Sequence, residues 1–361
     1  METALFDYTL PEELIARHPA GERTHSRLFI VERKTGNFIH SQFFNISQYL
    51  KTGDLLVFNN TRVIPARLMG YRFTGGGKVE TLLLKEVEPL LWKAMVRPAK
   101  KIQIGERLIY EPKILEGEVI QYLGPGERLI KFECRGIWQD VLNKIGHTPL
   151  PPYIIKARRD DLKTDLGHTP LEEAGDRERY QTVYAQHRGS VAAPTAGFHF
   201  SSELISTLEQ QGVETAYLTL HIGAGTFKPV ETERAEDHPM HSETYLLPKE
   251  TAEKINRARR EGRRVIPVGT TAVRTLESCA DEMGFVHPDA GETNLMILPG
   301  YKFKCADAML TNFHLPRSTL LMLVCAFGGT ELLLNAYSEA IIKGYRFYSY
   351  GDAMLLDRQT P

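Results

Sequence analysis

The spacing of hydrophobic and polar residues predicts two kinds of region along the chain. A short apolar run at 54–59 (DLLVFN) is typical of a buried strand. Beyond it, segments of alternating apolar and polar residues are separated by glycine turns, which favours a small β-barrel or sandwich over residues 66–150. Five strands are predicted there, at 79–84, 91–96, 107–110, 117–122 and 129–134. A short helix at 138–145 is predicted to lead out of this region.

A second pattern begins near residue 190, where predicted strands and helices alternate. Amphipathic helices are predicted at 202–211, 249–261, 272–283 and 331–344. Strands are predicted at 215–222, 265–268 and 295–298, and the apolar run 319–327 is predicted to be buried. This alternation is typical of a mostly parallel or mixed sheet with helices packed on it.

The pattern is interrupted between these two regions. Prolines in 149–155 (PLPPYII) predict extended backbone, and the charged stretch 156–179 is predicted to be a mobile surface loop. We therefore predict an α/β fold with two domains. Both chain ends, residues 1–65 and 151–361, form a mixed-sheet α/β main domain, and an inserted small β-barrel domain occupies residues 66–150.

Composition narrows the class of protein. The 361 residues are 42% hydrophobic and 25% charged, with a formal net charge of -1, which is ordinary globular usage. No apolar run approaches the roughly eighteen residues of a membrane helix, so no membrane partner is expected. The four cysteines are far apart and form no C-x-x-C pair, which fits the reducing cytoplasm. Because phosphates are neutralised by cations, an RNA partner would need a local basic patch.

The standard nucleotide and hydrolase motifs are absent from the sequence. Gly223-Ala224-Gly225 does not continue into G-x-G-x-x-G, and the run 75–78 (GGGK) lacks the upstream glycine and the following Ser or Thr of a phosphate loop. G-x-S-x-G and H-E-x-x-H are also missing. These absences disfavour dinucleotide oxidoreductases, P-loop enzymes and zincin proteases.

Three segments combine glycine, threonine and histidine near the ends of predicted strands. They are 190–200 (SVAAPTAGFHF), 219–230 (TLHIGAGTFKPV) and 311–319 (TNFHLPRST). Ligands of open α/β sheets bind at the carboxyl ends of strands, and small residues let a ligand approach the backbone. A fourth segment, 269–271 (GTT), joins a strand to a helix and could bind a hydroxyl or an anion. The same segments could also be tight turns whose histidines are hydrogen-bonded in the core.

Two other functional classes stay open on the residues alone. His238, His241 and Glu243 could bind the metal of a hydrolase, although Pro239 breaks helical spacing. A basic stretch with interleaved aromatic residues could instead belong to a non-catalytic RNA-binding module. Its members are Arg62, Arg67, Arg72, Lys78, Arg97, Lys100 and Lys101, with Tyr71, Phe73 and Trp92 between them.

Ten ordered strings carry a family resemblance from Phe6 to Leu355. They include FNNTRVIPARLMG (58–70), GSVAAPTAGFHF (189–200), TLHIGAGTFKPV (219–230), HPMHSE (238–243), VGTTAVRTLES (268–278) and TNFHLPRSTLLMLVCAFGG (311–329). With them the chain resembles the S-adenosylmethionine:tRNA ribosyltransferase-isomerases of bacterial queuosine biosynthesis. Two departures stand out. Asn60 occupies a position where the family usually has Asp, and 157–175 is longer and more charged than expected.

The resemblance implies an α/β domain with an inserted β-barrel, and it implies a reaction. The ribosyl moiety of S-adenosylmethionine is transferred to 7-aminomethyl-7-deazaguanine in the anticodon of tRNA, giving epoxyqueuosine, adenine and methionine. S-Adenosylmethionine is a co-substrate, and no further cofactor and no metal are expected. A monomer in the cytoplasm, acting on the tRNA anticodon stem-loop, is expected.

The implied reaction needs a base for the 5′-methylene beside the sulfonium, counter-charges, and groups that bind the ribose and the methionine carboxylate. The expected catalytic residues are His199, His221, His314, Glu243 and Asp307. The residues expected to bind S-adenosylmethionine are Thr195, Phe198, Thr226, Thr270, Arg274 and Phe313, with the two aromatic rings against the sulfonium. The residues expected to bind RNA are Arg62, Arg67, Arg97, Lys100 and Lys101.

Overall fold

The protein forms two compact units in the computed structural model, which describes residues 1–162, 170–223, 225 and 229–357. The sheet unit comprises residues 1–62, 181–187 and 193–361, and the barrel unit comprises residues 63–180 and 188–192. The mixed α/β class predicted from the sequence is confirmed, since one unit contains a large mixed sheet with helices and the other a closed barrel.

A nine-stranded mixed sheet organises the sheet unit. In spatial order its strands are β15 (Asp289–Thr293), β13 (Glu243–Leu247), β12 (Glu214–Leu220), β3 (Leu55–Asn59), β14 (Val265–Val268), β16 (Ala308–Asn312), β17 (Ala353–Asp357), β1 (Arg27–Glu32) and β2 (Asn37–Gln42). The four strands β12, β3, β14 and β16 are mutually parallel, whereas β17 is antiparallel to β16.

The central strands are buried on both faces. Every residue of β3, β14 and β16 is buried, which explains why these strands are continuous apolar runs rather than alternating ones. Alternate residues of β3 and its neighbours, such as Leu56 and Phe58, join one core cluster. Ile205 and Leu208 of the helix that precedes β12 belong to the same cluster, so the helix covers this face.

Five α-helices of the described chain belong to the sheet unit: α4 (Ser202–Gln210), α5 (Lys249–Arg260), α6 (Thr270–Cys279), α7 (Thr319–Gly328) and α8 (Thr330–Ile342). The unit also contains short 3-10 helices, among them Thr195–His199. Helix α4 begins at Ser201, whose hydroxyl accepts the Leu204 N–H as an N-cap. Helix α6 follows β14 directly through Gly269, whose φ of 93° favours glycine.

The barrel unit contains a closed six-stranded antiparallel barrel. Its strands in spatial order are β10 (Glu127–Cys134), β7 (Leu91–Arg97), β6 (Lys78–Glu88), β5 (Arg67–Arg72), β8 (Arg107–Glu111) and β9 (Leu115–Gly124). Five of these strands overlap the alternating segments of the sequence. Helix α1 (Trp138–Ile145) follows β10, which is the last barrel strand along the chain. Closure removes the unpaired edges that an open sheet would present. A separate two-stranded sheet pairs β4 (Thr61–Val63) with β11 (His187–Ser190).

The region between the barrel and residue 180 differs from its prediction. Helices α2 (Pro152–Leu162) and α3 (Pro170–Arg179) replace the predicted extended run and much of the predicted loop. Pro152 and Pro170 are each the first residue of a helix, a position that needs no backbone N–H. Buried Arg158 and Asp176 join the two helices by an ion pair at 2.6 Å. Residues 151–180 accordingly group with the barrel unit, whereas the predicted boundary lay near 150.

Strands β1, β2, β5, β13 and β15 were not predicted. Strands β2, β5, β13 and β15 have polar or mixed sequences, whereas β1 was missed although its residues 28–31 form a buried apolar run. The predicted strand 295–298 lies outside the sheet. Among the described residues no single helix is long and apolar enough to cross a membrane; α7 and α8 together reach that length but are bent by 113° at their junction.

Gly70 supplies a test of the barrel. A Cβ at this position would lie 2.4 Å from the Ile109 carbonyl oxygen, which is backbone and cannot move aside. We expect Gly70→Ala to lower the free energy of unfolding by about 2–4 kcal/mol, measured by chemical denaturation. Gly77→Ala, in the same hairpin, is the control, because the nearest heavy atom to its Cβ is 3.8 Å away. Equal stability of the two variants would contradict this account.

Candidate active site at the carboxyl edge of the sheet

Chain direction brings the predicted segments to one edge of the sheet. The parallel strands β12, β3, β14 and β16 end here. Because β17 is antiparallel to β16 and β1 is parallel to β17, the starts of β17 and β1 lie at the same edge, where Ala353 pairs with both Asn312 and Leu28. The 3-10 helix Thr195–His199 packs against β16. We call this the carboxyl edge.

His199 is buried at the carboxyl edge and uses both ring nitrogens. Its Nδ1 lies 2.6 Å from Ser26 Oγ, its Nε2 lies 3.2 Å from the Asn312 amide nitrogen, and its ring packs on Phe43. The Asn312 amide also donates to the Tyr348 carbonyl and accepts the Thr195 hydroxyl at 3.1 Å. Because Asn312 donates to Nε2, the proton of His199 must be on Nδ1, and it is donated to Ser26.

This environment keeps His199 neutral. Burial, with the nearby positive charges of Arg346 and Arg23, lowers the pKa of His199 to about 3. A neutral ring whose lone pair is already bonded has no site left for a substrate proton. The geometry therefore suits His199 to ordering Thr195, Asn312 and Ser26 rather than to proton transfer.

His221 lies just past the end of β12 and is less enclosed. Its Nδ1 is 2.8 Å from Thr61 Oγ1, and its backbone N–H donates to the Thr244 carbonyl. Burial, and then the neighbouring His187, lower the pKa of His221, so the ring is neutral at pH 7. Among the described residues nothing hydrogen-bonds its Nε2. His221 thus combines a fixed ring with an unoccupied nitrogen.

The third histidine, His314, follows β16. Its Nε2 lies 2.8 Å from Thr311 Oγ1, its backbone N–H donates to the Tyr337 hydroxyl, and its carbonyl accepts the Tyr8 hydroxyl. Burial lowers the pKa of His314. These backbone contacts attach the turn after β16 to α8 and to the N-terminal segment.

Glu243 and Arg274 form a buried ion pair beside the end of β12. Arg274 Nη1 donates to Glu243 Oε2, and both side chains are 5% exposed. Arg274 also donates to the Leu295 and Thr293 carbonyls, while Glu243 Oε1 accepts the Gly223 N–H at 3.0 Å. The two side chains, predicted to bind separate parts of the substrate, are therefore each other's partners in this structure.

A cleft in the sheet unit opens beside this ion pair. Its lining combines polar and apolar residues and comprises Gly225, His238, Met240, His241, Glu243, Arg274, Leu295, Met296, Ile297, Thr319, Leu320 and Leu323. Gly225 passes so near His241 that a Cβ would lie 2.3 Å from a ring carbon. A side chain at position 225 would therefore require His241 to move.

Helix α6 starts at the carboxyl edge, with Thr270 buried in its first turn. The residue before it, Gly269, provides no side-chain cap, whereas Thr271 Oγ1 accepts the Asn59 amide at 3.2 Å. Asn60, where the family usually has Asp, is also buried, and its Oδ1 accepts the Thr219 hydroxyl at 2.7 Å. In this chain the position forms a hydrogen bond between neighbouring strands.

Several predicted site residues are not brought to an accessible site. Asp307 lies at the opposite edge of the sheet, where its Oδ2 accepts the Val265 N–H, because it precedes β16. Phe313 is fully buried among Phe29, Tyr337 and Phe347, so neither face is open to a sulfonium. Phe198 is 7% exposed, with Arg23 5.9 Å from its ring centre. Thr226 lies outside the described residues.

Some of the predicted RNA-binding residues are exposed and one is buried. Arg62, Arg97, Lys100 and Lys101 are exposed. Arg67 is 2% exposed and pairs with Glu80 at 3.1 Å, so it stabilises the barrel and cannot reach an RNA phosphate. Trp92 is buried against Trp138, whereas Phe73 is 63% exposed with Arg107 over its ring.

Sequence reasoning missed four polar residues that orient the histidines or α6. Ser26 precedes a strand and lies in no motif of the sequence. Asn59 and Thr61 lie in the 58–70 string and Asn312 in the 311–319 segment, but nothing in these strings distinguished them from their neighbours. The alternative metal site is not assembled. Within the described part of the chain no group of three His, Cys, Asp or Glu side chains could hold an ion, and Glu243 is engaged by Arg274.

Comparison with known proteins gives a consistent set of relatives. The family model for queuosine biosynthesis proteins matches residues 3–356. The chain is 53% identical to the S-adenosylmethionine:tRNA ribosyltransferase-isomerase of Carboxydothermus hydrogenoformans, over 97% of this chain and 98% of that protein. It is 48% identical to the Clostridioides difficile protein of that name, over 99% of this chain and 100% of that one. The crystal structure of S-adenosylmethionine tRNA ribosyltransferase from Thermotoga maritima is similar, with a TM-score of 0.52 and 35% identity over 98% of this chain and 99% of that one.

The depressed pKa of His199 predicts a pH dependence of stability. The unfolded chain binds a proton near pH 6.5, but the folded protein does not bind it until about pH 3, so acid favours unfolding across that window. Between pH 7 and pH 5 this histidine should remove about 2 kcal/mol from the free energy of unfolding. We expect His199→Gln to be less stable than wild type at pH 7. On acidification to pH 5 its free energy of unfolding should fall by about 2 kcal/mol less than that of the wild type. The free energies of unfolding of both proteins are measured by chemical denaturation at each pH. If they fall equally between pH 7 and pH 5, the folded protein does not exclude the proton from His199.

Proposed function

The chain belongs to the queuosine biosynthesis protein family, and from that membership we infer that it is an S-adenosylmethionine:tRNA ribosyltransferase-isomerase. It transfers and isomerises the ribosyl moiety of S-adenosylmethionine onto 7-aminomethyl-7-deazaguanine in tRNA, giving epoxyqueuosine-tRNA with release of adenine and methionine. The observation that carries this conclusion is similarity over essentially the whole chain, both units included. S-Adenosylmethionine is a substrate here, consumed for its ribose.

Finer features of the reaction are part of the same proposal. The tRNA is engaged at its anticodon stem-loop, the enzyme acts as a monomer in the cytoplasm, and no further cofactor takes part. The cysteine thiols of the described chain are all free, which supports a reducing compartment. Exposed Arg62, Arg97, Lys100 and Lys101 are the candidates for phosphate contacts, since their charges are available to solvent.

S-Adenosylmethionine is proposed to bind at the carboxyl edge. Four strand ends and the start of α6 meet there, as expected for a ligand site of an open α/β sheet. Thr270 in the first turn of α6 is a candidate for a ribose hydroxyl, because backbone N–H groups and a hydroxyl point together at a helix start. Thr195, oriented by Asn312, is a second candidate.

His221 is the proposed general base for the 5′-methylene. A base must be neutral before it accepts a proton, and the lowered pKa of His221 keeps it so at pH 7. Thr61 fixes the ring through Nδ1 and leaves Nε2 for the substrate. His199 and His314 are proposed to position the turns around the substrate, because His199 has no unoccupied nitrogen and His314 is anchored through its backbone.

Turnover gives a direct test of this assignment. We expect adenine to be released when the purified protein is incubated with S-adenosylmethionine and precursor-bearing tRNA. Its release is measured by chromatography in single-turnover experiments. His221→Ala should slow release at least about 100-fold, the usual contribution of general-base catalysis. His287→Ala is the control, because His287 is an exposed surface histidine paired with Asp281. A loss below about fivefold would exclude His221 as the base.

The pH profile separates a base from a structural histidine. Because the pKa of His221 is lowered, the wild-type rate should stay level at pH 7 and decline only in acid below pH 6.5. Thr61→Val should slow the reaction less than removal of the ring does, since it frees the imidazole without deleting it. Absence of adenine release from the wild-type protein would instead argue against the reaction itself.

A further inference from the structure

We propose that the buried Arg274–Glu243 pair and the apolar cleft beside it bind the amino-acid end of S-adenosylmethionine, with Arg274 on the α-carboxylate and Glu243 on the α-ammonium. This proposal rests on the function above and assigns a part of its substrate site. It assigns both charges of the amino acid to one ion pair, and it places the methionine chain against Leu295, Ile297, Leu320 and Leu323.

Arg274 and Glu243 retain unused hydrogen-bonding capacity. Three of the five guanidinium N–H groups of Arg274 are bonded, to Glu243, Leu295 and Thr293. Each carboxylate oxygen of Glu243 accepts one bond, from Gly223 or Arg274, although each has two lone pairs. Within the described chain the remaining positions have no partner. A zwitterion supplies an acceptor for Arg274 and a donor for Glu243 without separating the pair.

Burying the charges of Arg274 and Glu243 is costly. Both side chains are 5% exposed, and two buried charges are stabilised only when the pair is well hydrogen-bonded. Charge-assisted bonds to a carboxylate and an ammonium would complete that bonding. A neutral ligand could not form these charge-assisted hydrogen bonds. The site therefore selects a ligand that carries both charges next to each other, as an α-amino acid does.

Much of the lining of the cleft beside this ion pair is apolar. Beyond the ion pair the cleft is lined by Met240 and by apolar side chains from the 295–297 segment and α7, together with the polar side chains of His238, His241 and Thr319. Apolar walls favour the methylenes and the S-methyl group of the methionine chain. His238 adds no positive charge to repel the sulfonium, because burial, and then His241, lower its pKa.

Binding of substrate analogues to the wild-type protein tests the proposal without a mutation. Isothermal titration would compare S-adenosylmethionine, decarboxylated S-adenosylmethionine, which lacks the carboxylate, and 5′-methylthioadenosine, which lacks the whole amino acid. We expect the full substrate to bind at least about 30-fold more tightly than the decarboxylated analogue, and 5′-methylthioadenosine to bind most weakly. A ratio below about threefold would overturn the assignment.

A double variant then locates the discrimination. Removing only one charge leaves the other buried and unpaired, which could unfold the protein. Arg274→Gln with Glu243→Gln keeps polar side chains and removes both charges. Its preference for the full substrate over the decarboxylated analogue should fall to near onefold, while its affinity for 5′-methylthioadenosine is unchanged. An unchanged preference, or an equal loss of affinity for all three ligands, would show that the pair is structural.

The control is a second ion pair in the same unit. Arg264 pairs with buried Asp54 before β14 and β3, at the edge opposite the cleft. The double variant Arg264→Gln with Asp54→Asn removes a comparable pair and should retain the wild-type preference. Adenine release by the wild-type protein is measured in parallel. If release occurs but the analogues bind alike, this subsite is wrong and the enzyme's function stands; if release is absent, the function itself fails.

Discussion

The common direction of β12, β3, β14 and β16 is the constraint on which the site depends. Parallel strands place their carboxyl ends at one edge, so residues from distant parts of the chain, such as Asn59, His221 and Asn312, arrive together. The same strand direction accounts for the burial of β3, β14 and β16 on both faces, because the crossovers that join parallel strands place helices on the faces of the sheet. The same geometry removes Asp307 from the site, since it precedes its strand rather than following it.

Polar groups at the carboxyl edge are held by one another. His199 is fixed by Ser26 and Asn312, His221 by Thr61, and Glu243 by Arg274. Such bonds are required because a buried polar group without a partner is costly, and they also set protonation. The consequence differs from ring to ring. The lone pair of His199 is occupied, whereas Nε2 of His221 has no partner among the described residues, so similar histidines suit different roles.

A basic residue of the barrel unit can contact RNA only if its side chain is exposed to solvent. Arg67 and Arg97 belong to the same basic stretch of sequence, yet Arg67 is enclosed with Glu80 and Arg97 is exposed. The strand register places both side chains on the same face of the barrel, because Arg97 lies opposite Glu80 and Arg67 opposite Leu82, two residues further along the same strand. Coverage by other parts of the chain, and not strand alternation, therefore separates the buried arginine from the exposed one. Ion pairs in the interior, such as Arg158–Asp176, join helices rather than attract phosphates.

The sequence alone determined the fold class, the five alternating strands of the barrel, most helices of the second half and, through ten ordered strings, the family. Local periodicity suffices for these because amphipathic segments report which face is buried. It did not determine helices α2 and α3, strands β13 and β15, or which members of the site segments reach the site. Those depend on partners far away in the chain: Asp176 for Arg158, Arg274 for Glu243, and the aromatic core for Phe313. Only tertiary packing decides whether a polar or aromatic residue is met by solvent, by a ligand or by another side chain.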